Sequence, residues 1–205
     1  MINGIIISGC SGVGKSTVVQ RLLERNPHMV FSVSYTTRPP RKGEIDGIHY
    51  KFVSKEEFEK KIAEGFFLEW EEVYGQFYGT PKNFVDAQGQ TGRTLIFELD
   101  SKGALNLKKR LPQLVSIAII PPSARVLLER LKQRNTDRLE SLEGRIKAIK
   151  EEIQRLAKCD FCVVNDDLET AVSDVELIIS AQRLTASACA ERFQHLQREI
   201  EEMPI

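Results

Sequence analysis

Gly9-Cys10-Ser11-Gly12-Val13-Gly14-Lys15-Ser16 stands between an apolar run, Ile5-Ile6-Ile7, and a helix-compatible stretch from Lys15 to Arg25. The spacing is G-x-x-x-x-G-K-[ST], and a strand before it and a helix after it are the context that this pattern needs. Successive loop amides then point inward at a polyphosphate, and the helix N-terminus adds partial positive charge. The segment therefore implies an α/β chain that binds a nucleoside triphosphate. It does not by itself specify the reaction.

Outward from this loop, strand and helix patterns alternate, which predicts a central parallel sheet covered by helices on both faces. Expected strands are Ile2 to Ile7, Val30 to Ser34, Thr94 to Leu99, Leu114 to Ile120 and Phe161 to Val164, each short, apolar and suited to burial on both sides. Expected helices are Lys15 to Arg25, Lys102 to Leu111 and Ser123 to Arg134, with Pro27 and Pro112 following the first two and Ser123 capping the third. From Tyr35 to Val85 the rhythm breaks into a Pro- and Gly-containing loop, strand pieces and a short helix that Ser54 and Glu57 cap and Gly65 stops. Later, Leu139, Leu142, Ile146, Ile149, Ile153 and Leu156 recur at steps of three and four, predicting a charged helix with one inward apolar stripe. The tail from Arg183 to Ile205 carries Cys189, Phe193, Leu196, Ile200 and Met203 at helical spacing. That tail reads as a terminal helix packed on its own domain, or as a contact between subunits.

Composition narrows the class. The 205 residues suffice for one core with insertions. Lys plus Arg and Asp plus Glu both number 29. No long-range field thus favours nucleic acid or an anionic membrane, and neither is an expected partner. The longest apolar runs fall far below the roughly 20 residues that span a bilayer, and strand-like sequence beginning near Ile2 leaves no room for a secretion signal. A cytosolic location is expected. Cys10, Cys159, Cys162 and Cys189 suggest reduced thiols rather than a disulfide framework, and Cys159-x-x-Cys162 lacks the further ligands of a zinc site. Those two are expected to be buried or half-buried. Cys10 is expected to favour thiolate beside the loop amides and Lys15, with bound nucleotide shielding it from alkylation. His28, His49 and His195 form no metal pattern and read as surface or loop residues.

The inserted segment reads Ser34-Tyr35-Thr36-Thr37-Arg38-Pro39-Pro40-Arg41-Lys42-Gly43-Glu44-Ile45-Asp46-Gly47-Ile48-His49-Tyr50, followed by Glu69-Trp70 and Tyr78-Gly79-Thr80. At these residues the chain resembles the guanylate kinase family, and the resemblance runs from Ile5 to about Leu184. It continues through Pro121-Pro122-Ser123, Arg130-Leu131-Lys132-Gln133-Arg134 and Val163-Val164-Asn165-Asp166-Asp167. The family implies a P-loop core (residues 1–34, 86–124 and 160–205), a GMP-binding insertion (about 35–85) and a lid (about 125–159). It also implies transfer of the γ-phosphoryl group of ATP to GMP, and to dGMP, with Mg²⁺.

The residues suit those roles. Arg38 and Arg41, on a proline-constrained loop, offer planar donor forks to a dianionic phosphate, with Tyr50 and Tyr78 adding hydroxyls. Guanine presents N1–H and its 2-amino group side by side, so the Glu69 carboxylate accepts both, whereas adenine offers no such pair. By resemblance Ser34, Gly79, Thr80 and Asp100 join Glu69 in the GMP site, with Thr80 suited to donate to O6. On the ATP side stand Gly9, Ser11, Gly12, Val13, Gly14, Lys15, Ser16 and Thr17, with Lys15 reaching the β and γ phosphates and Ser16 holding Mg²⁺. Arg134 and Arg145 match the family's catalytic lid positions, Arg130 lies near, and Asn165 matches the adenine-side contact.

Departures from the family pattern are Glu98 and Lys102 around Asp100, Asn135 after Arg134, and Arg138. Two rivals remain at this stage. One is a guanylate-kinase-like binding module, which usually lacks the loop lysine kept here. The other is a P-loop kinase acting on another nucleotide or a sugar phosphate. Whether the chain is a monomer or a homo-oligomer is open.

Overall fold

Ile5, Ile6 and Ile7 are each at most 1% exposed, because they lie on the middle strand of a parallel sheet with helices against both faces. We describe the chain from a computed structural model, covering residues 2–73, 75–133, 142–182, 184–185 and 188–203. In chain order the elements are β1 (Gly4–Gly9), α1 (Lys15–Arg25), β2 (Met29–Phe31), β3 (Tyr35–Thr36), β4 (Lys51–Phe52), α2 (Lys55–Ala63), β5 (Phe67–Val73), β6 (Gln76–Pro81) and α3 (Lys82–Gly89). They continue as β7 (Thr94–Glu98), α4 (Ser101–Arg110), β8 (Val115–Ile120), α5 (Ala124–Gln133), α6 (Leu142–Leu156), β9 (Phe161–Val164), α7 (Leu168–Gln182) and α8 (Ala190–Glu201).

The first sheet runs β2-β7-β1-β8-β9, with every pairing parallel. Along β1 the side chains alternate between faces. Ile5 and Ile7 pack with Val18, Val19 and Leu22 of α1 and Val172, Val175 and Ile179 of α7. Ile6 packs the other way, with Phe97, Leu107 of α4 and Val85 of α3. The expected α/β class and doubly covered parallel sheet are present.

Some expectations need correction. β2 ends at Phe31, and the chain then leaves for a second sheet, where the Ser34 carbonyl accepts from Lys51 N at 2.9 Å. β9 is an edge strand with Phe161 43% and Val164 46% exposed, so it is not buried on both sides. Cys162 is exposed with it, rather than half-buried. The sequence reading lacked α3 and α7. In α7 the Val- and Ile-rich run carries no clean contrast between faces, since β-branched residues suit strands as readily. The tail helix α8 buries none of its residues, against the expectation that it packs on its own domain.

The second sheet runs β4-β3-β6-β5, with β5 and β6 forming an antiparallel hairpin. Its core is aromatic: Phe58 of α2 stacks at 4.4 Å on Phe67 and 5.4 Å on Phe77. Ser54 caps α2 by accepting from Glu57 N at 3.1 Å, and Gly65 takes φ 65° just past its end, as the residues predict. Gly79 sits under this stack, where a Cβ would meet Phe67 at 2.8 Å and Phe58 at 3.0 Å. Among the described residues, no helix is long and apolar enough to cross a membrane.

Candidate active site

The phosphate loop joins β1 to α1 in a shape that needs its glycines. Gly12 and Gly14 take φ 87° and 96°, and a Cβ on Gly9 would lie 2.4 Å from the Ile119 carbonyl oxygen of β8. Gly14 is the N-cap of α1 and adds no side-chain acceptor, which leaves the first helix amides available to an anion. Ser11, Ser16 and Thr17 are exposed. The Val13 carbonyl is braced from behind: Asn165 Nδ2 donates to it at 2.8 Å and Arg130 Nη1 at 3.3 Å, and Arg130 also donates to the Asn165 carbonyl at 3.1 Å. Asn165 and Arg130 thus spend these groups on the loop itself.

Lys15 Nζ turns back onto the carbonyl of Gly9 and, at 3.3 Å, that of Cys10. Ser16 Oγ, in the first turn of α1, donates to Glu98 Oε1 at the end of β7 at 2.6 Å. Glu98, met in the sequence as a departure, therefore stands beside the hydroxyl expected to hold a divalent cation. Cys10 corrects an expectation. Its thiol is 2% exposed, and burial, together with the Glu152 carboxylate, pushes it up to about 12. Lys15 pulls the other way and loses, so the thiolate is disfavoured.

Opposite the loop, the acceptor-side residues come together on the second sheet and the start of α4. Glu69 of β5 is 5% exposed, and Thr80 of β6 donates its hydroxyl to Glu69 Oε1. The sequence reading had Thr80 donate to a base oxygen; here the buried carboxylate takes that proton first. Asp100 caps α4, accepting from Gly103 N at 2.9 Å and Lys102 N at 3.2 Å. A Cβ on Gly103 would meet Asp100 Oδ1 at 3.0 Å and Glu69 Oε2 at 3.2 Å, so both carboxylates converge over this glycine. Burial pushes the Glu69 carboxyl up to about 8, with Asp100 adding in the same direction and the Thr80 hydroxyl opposing. Ser34 is buried at 5% exposure.

Arg38 is 7% exposed and forms a forked pair with Glu44, Nη1 to Oε2 at 2.9 Å and Nη2 to Oε1 at 2.8 Å. Its guanidinium carbon lies 5.4 Å from the centre of the Tyr50 ring, and the Tyr50 and Tyr78 rings meet edge-on at 6.0 Å. Arg41 is exposed and donates its backbone N–H to Glu44 Oε2 at 2.6 Å. Glu44 was not singled out from the sequence. The signal was an acidic residue three to six positions after two arginines. Burial and the Glu98 charge raise the Tyr50 hydroxyl well above the usual phenol range. Arg134 lies outside the described residues, and Arg145 falls where only the backbone of α6 is described.

A family model described as guanylate kinase matches residues 1–182. Guanylate kinase of Carboxydothermus hydrogenoformans is 46% identical over 180 residues, covering 88% of each chain. Guanylate kinase of Neisseria gonorrhoeae is 48% identical over 185 residues, covering 90% of each. A crystal structure of guanylate kinase from Anaplasma phagocytophilum matches at 32% identity and TM-score 0.74, covering 90% of this chain and 88% of that one.

Proposed function

The chain belongs to the guanylate kinase family and is an ATP:GMP phosphotransferase. We propose that it works by holding GMP between the second sheet and α4 while the phosphate loop holds ATP. The observation that carries this reading is the buried Glu69 carboxylate, grouped with Thr80 and Asp100 over a glycine that leaves room beside them.

Phosphoryl transfer needs alignment and charge neutralisation more than covalent help. Lys15, now on carbonyls of its own loop, has those weak partners to exchange for phosphate oxygens. Arg38, Arg41, Tyr50 and Tyr78 would receive the GMP phosphate, with Glu44 holding one edge of the Arg38 fork and setting its plane. Glu69, once ionised, accepts both guanine donors. Arg134 and Arg145 are proposed to close from the lid, and residues about 35–85 and 125–159 to act as the GMP-binding and lid units. Ser16 and Glu98 are hard oxygen donors already facing each other, so they fit Mg²⁺, which in this reaction would neutralise phosphate charge. Deoxy-GMP is a proposed second acceptor, as the family resemblance implies.

Initial rates of ADP formation with GMP, dGMP, AMP, CMP, UMP and a sugar phosphate test the reading, with GMP and dGMP expected to dominate. Glu69→Gln is expected to reduce the GMP-over-AMP preference by up to about 10⁴, the discrimination that a site built to hydrogen-bond its base reaches. An unchanged preference would refute the role given to Glu69.

A further inference from the structure

The last turn of α6 touches both halves of the site. Arg155 and Leu156 are adjacent in the chain and so leave the helix about 100° apart. Leu156 packs with Cys10, Ala118 and Leu127 beneath the phosphate loop. Arg155 turns to α4 instead, where its Nε donates to Ser101 Oγ at 2.9 Å. Ser101 is 3% exposed and is the first helical residue after Asp100, the N-cap of α4. The outer end of the guanidinium has Nη1 3.8 Å from Glu151, a solvent-facing pair that contributes little. The buried bond to Ser101 is the contact that holds one helix to the other.

Helix α4 in turn fixes the groups that face the base. Asp100 accepts from the amides of Lys102 and Gly103, so its carboxylate moves with the turn to which Ser101 belongs. Further along α4, Asn106 Nδ2 donates to Glu71 Oε1, and Glu71 shares a face of β5 with Glu69 two residues before it. The helix therefore carries one acceptor-side carboxylate and tethers the strand that carries the other. A shift at Ser101 reaches both. Since α6 belongs to the unit proposed as the lid, Ser101 is where that unit meets the acceptor site.

We propose that Arg155 is a positioning residue for GMP: its bond to Ser101 holds the first turn of α4, so that Asp100 and Glu69 stand at a set spacing that depends on how α6 is seated. This rests on the reading of Asp100 and Glu69 as groups that take the guanine base. The holding is done by a donor at one atom, not by the charge of the guanidinium, which lies largely towards solvent. Misplacing a group by about 1 Å can cost on the order of 10² in rate, so a single bond between helices suffices to matter.

The test compares two replacements of equal reach. Glutamine carries an N–H donor where arginine has Nε, and methionine carries a methyl group there. Arg155→Met is expected to raise KM for GMP about tenfold, the scale of one hydrogen bond, with KM for ATP within about twofold of the parent's. Arg155→Gln is expected to keep both KM values within about twofold of the parent's, because it keeps the donor. Ser101→Ala is expected to match Arg155→Met, and the double variant to be no worse than either, since both remove the same bond. Equal effects of glutamine and methionine, a parent-like KM for GMP in Arg155→Met, or a parallel rise of both KM values with a lowered Tm would each overturn the proposal. Asp100→Ala and Glu69→Gln test the underlying reading: if neither raises KM for GMP, the base site fails rather than the role of Arg155. Should Arg155→Met not fold, Ser101→Ala carries the test, and an unchanged KM for GMP in that variant would sink the idea.

Discussion

Glu69 is the residue at which burial and base recognition oppose each other. Its carboxyl, pushed up to about 8 by burial, is mostly protonated in the free protein at neutral pH, yet it must be ionised to accept two guanine donors. GMP binding therefore expels a proton at neutral pH. The sign follows: GMP affinity is expected to rise with pH up to about 8 and then level off, while phosphate titration near 6 stays out of the window. Calorimetry at pH 7 in two buffers of different ionisation heat should report release approaching one proton, and none in Glu69→Gln. The same shift makes folding less favourable as pH rises from the unfolded carboxyl value through about 8, because the folded state binds the extra proton. Glu69, Thr80 and Asp100 were legible as a set from residue chemistry and the resemblance. Their hydrogen bonds to protein partners were not, because a buried carboxylate or guanidinium finds a partner inside the protein whenever it can. Thr80 turns to Glu69 and Arg38 to Glu44 for that reason. Cys10 was misread because its charged neighbours are visible in sequence and its burial is not.

Elements were most legible where apolar runs and caps agreed. The helix expected from Lys15 to Arg25 and the strand from Phe161 to Val164 have the expected limits; the limits of β1, β7 and β8 shift by at most two residues, while β2 ends three residues before Ser34. What pattern could not give was the use of an element's end. β9 terminates at Val164, and the next residue, Asn165, crosses back to the loop and holds the Val13 carbonyl at 2.8 Å while touching the space beside Gly14. An asparagine after a strand usually marks only a turn; here it joins an outer strand to the loop on the central one. Asn165→Ala removes this bond and leaves the weaker Arg130 contact. The expected outcome is a loss of about 1–2 kcal/mol in stability by denaturant unfolding, with a raised KM for ATP and an unchanged KM for GMP. A shift confined to GMP would contradict the bracing role.

For the molecule as a whole, activity should reside in the two sheets and the helices that cover them, and the C-terminal helix should be separable from them. The family match ends at residue 182, where α7 ends, having contributed Val172, Val175 and Ile179 to the core. Beyond it, Phe193, Leu196 and Ile200 of α8 and Met203 just after it are each more than half exposed. The helical period in the tail was read correctly, but amphipathic spacing says only that an apolar stripe exists, not what covers it. None of the residues of α8 is buried and none belongs to the core clusters, so its removal takes no side chain out of the described core. A chain ending after residue 188 is therefore expected to melt within about 2 °C of the full chain and to keep its kcat and both KM values. A clear drop in Tm would show that the stripe contributes to folding through contacts absent from the single chain, and its dependence on protein concentration would say whether a second copy supplies them.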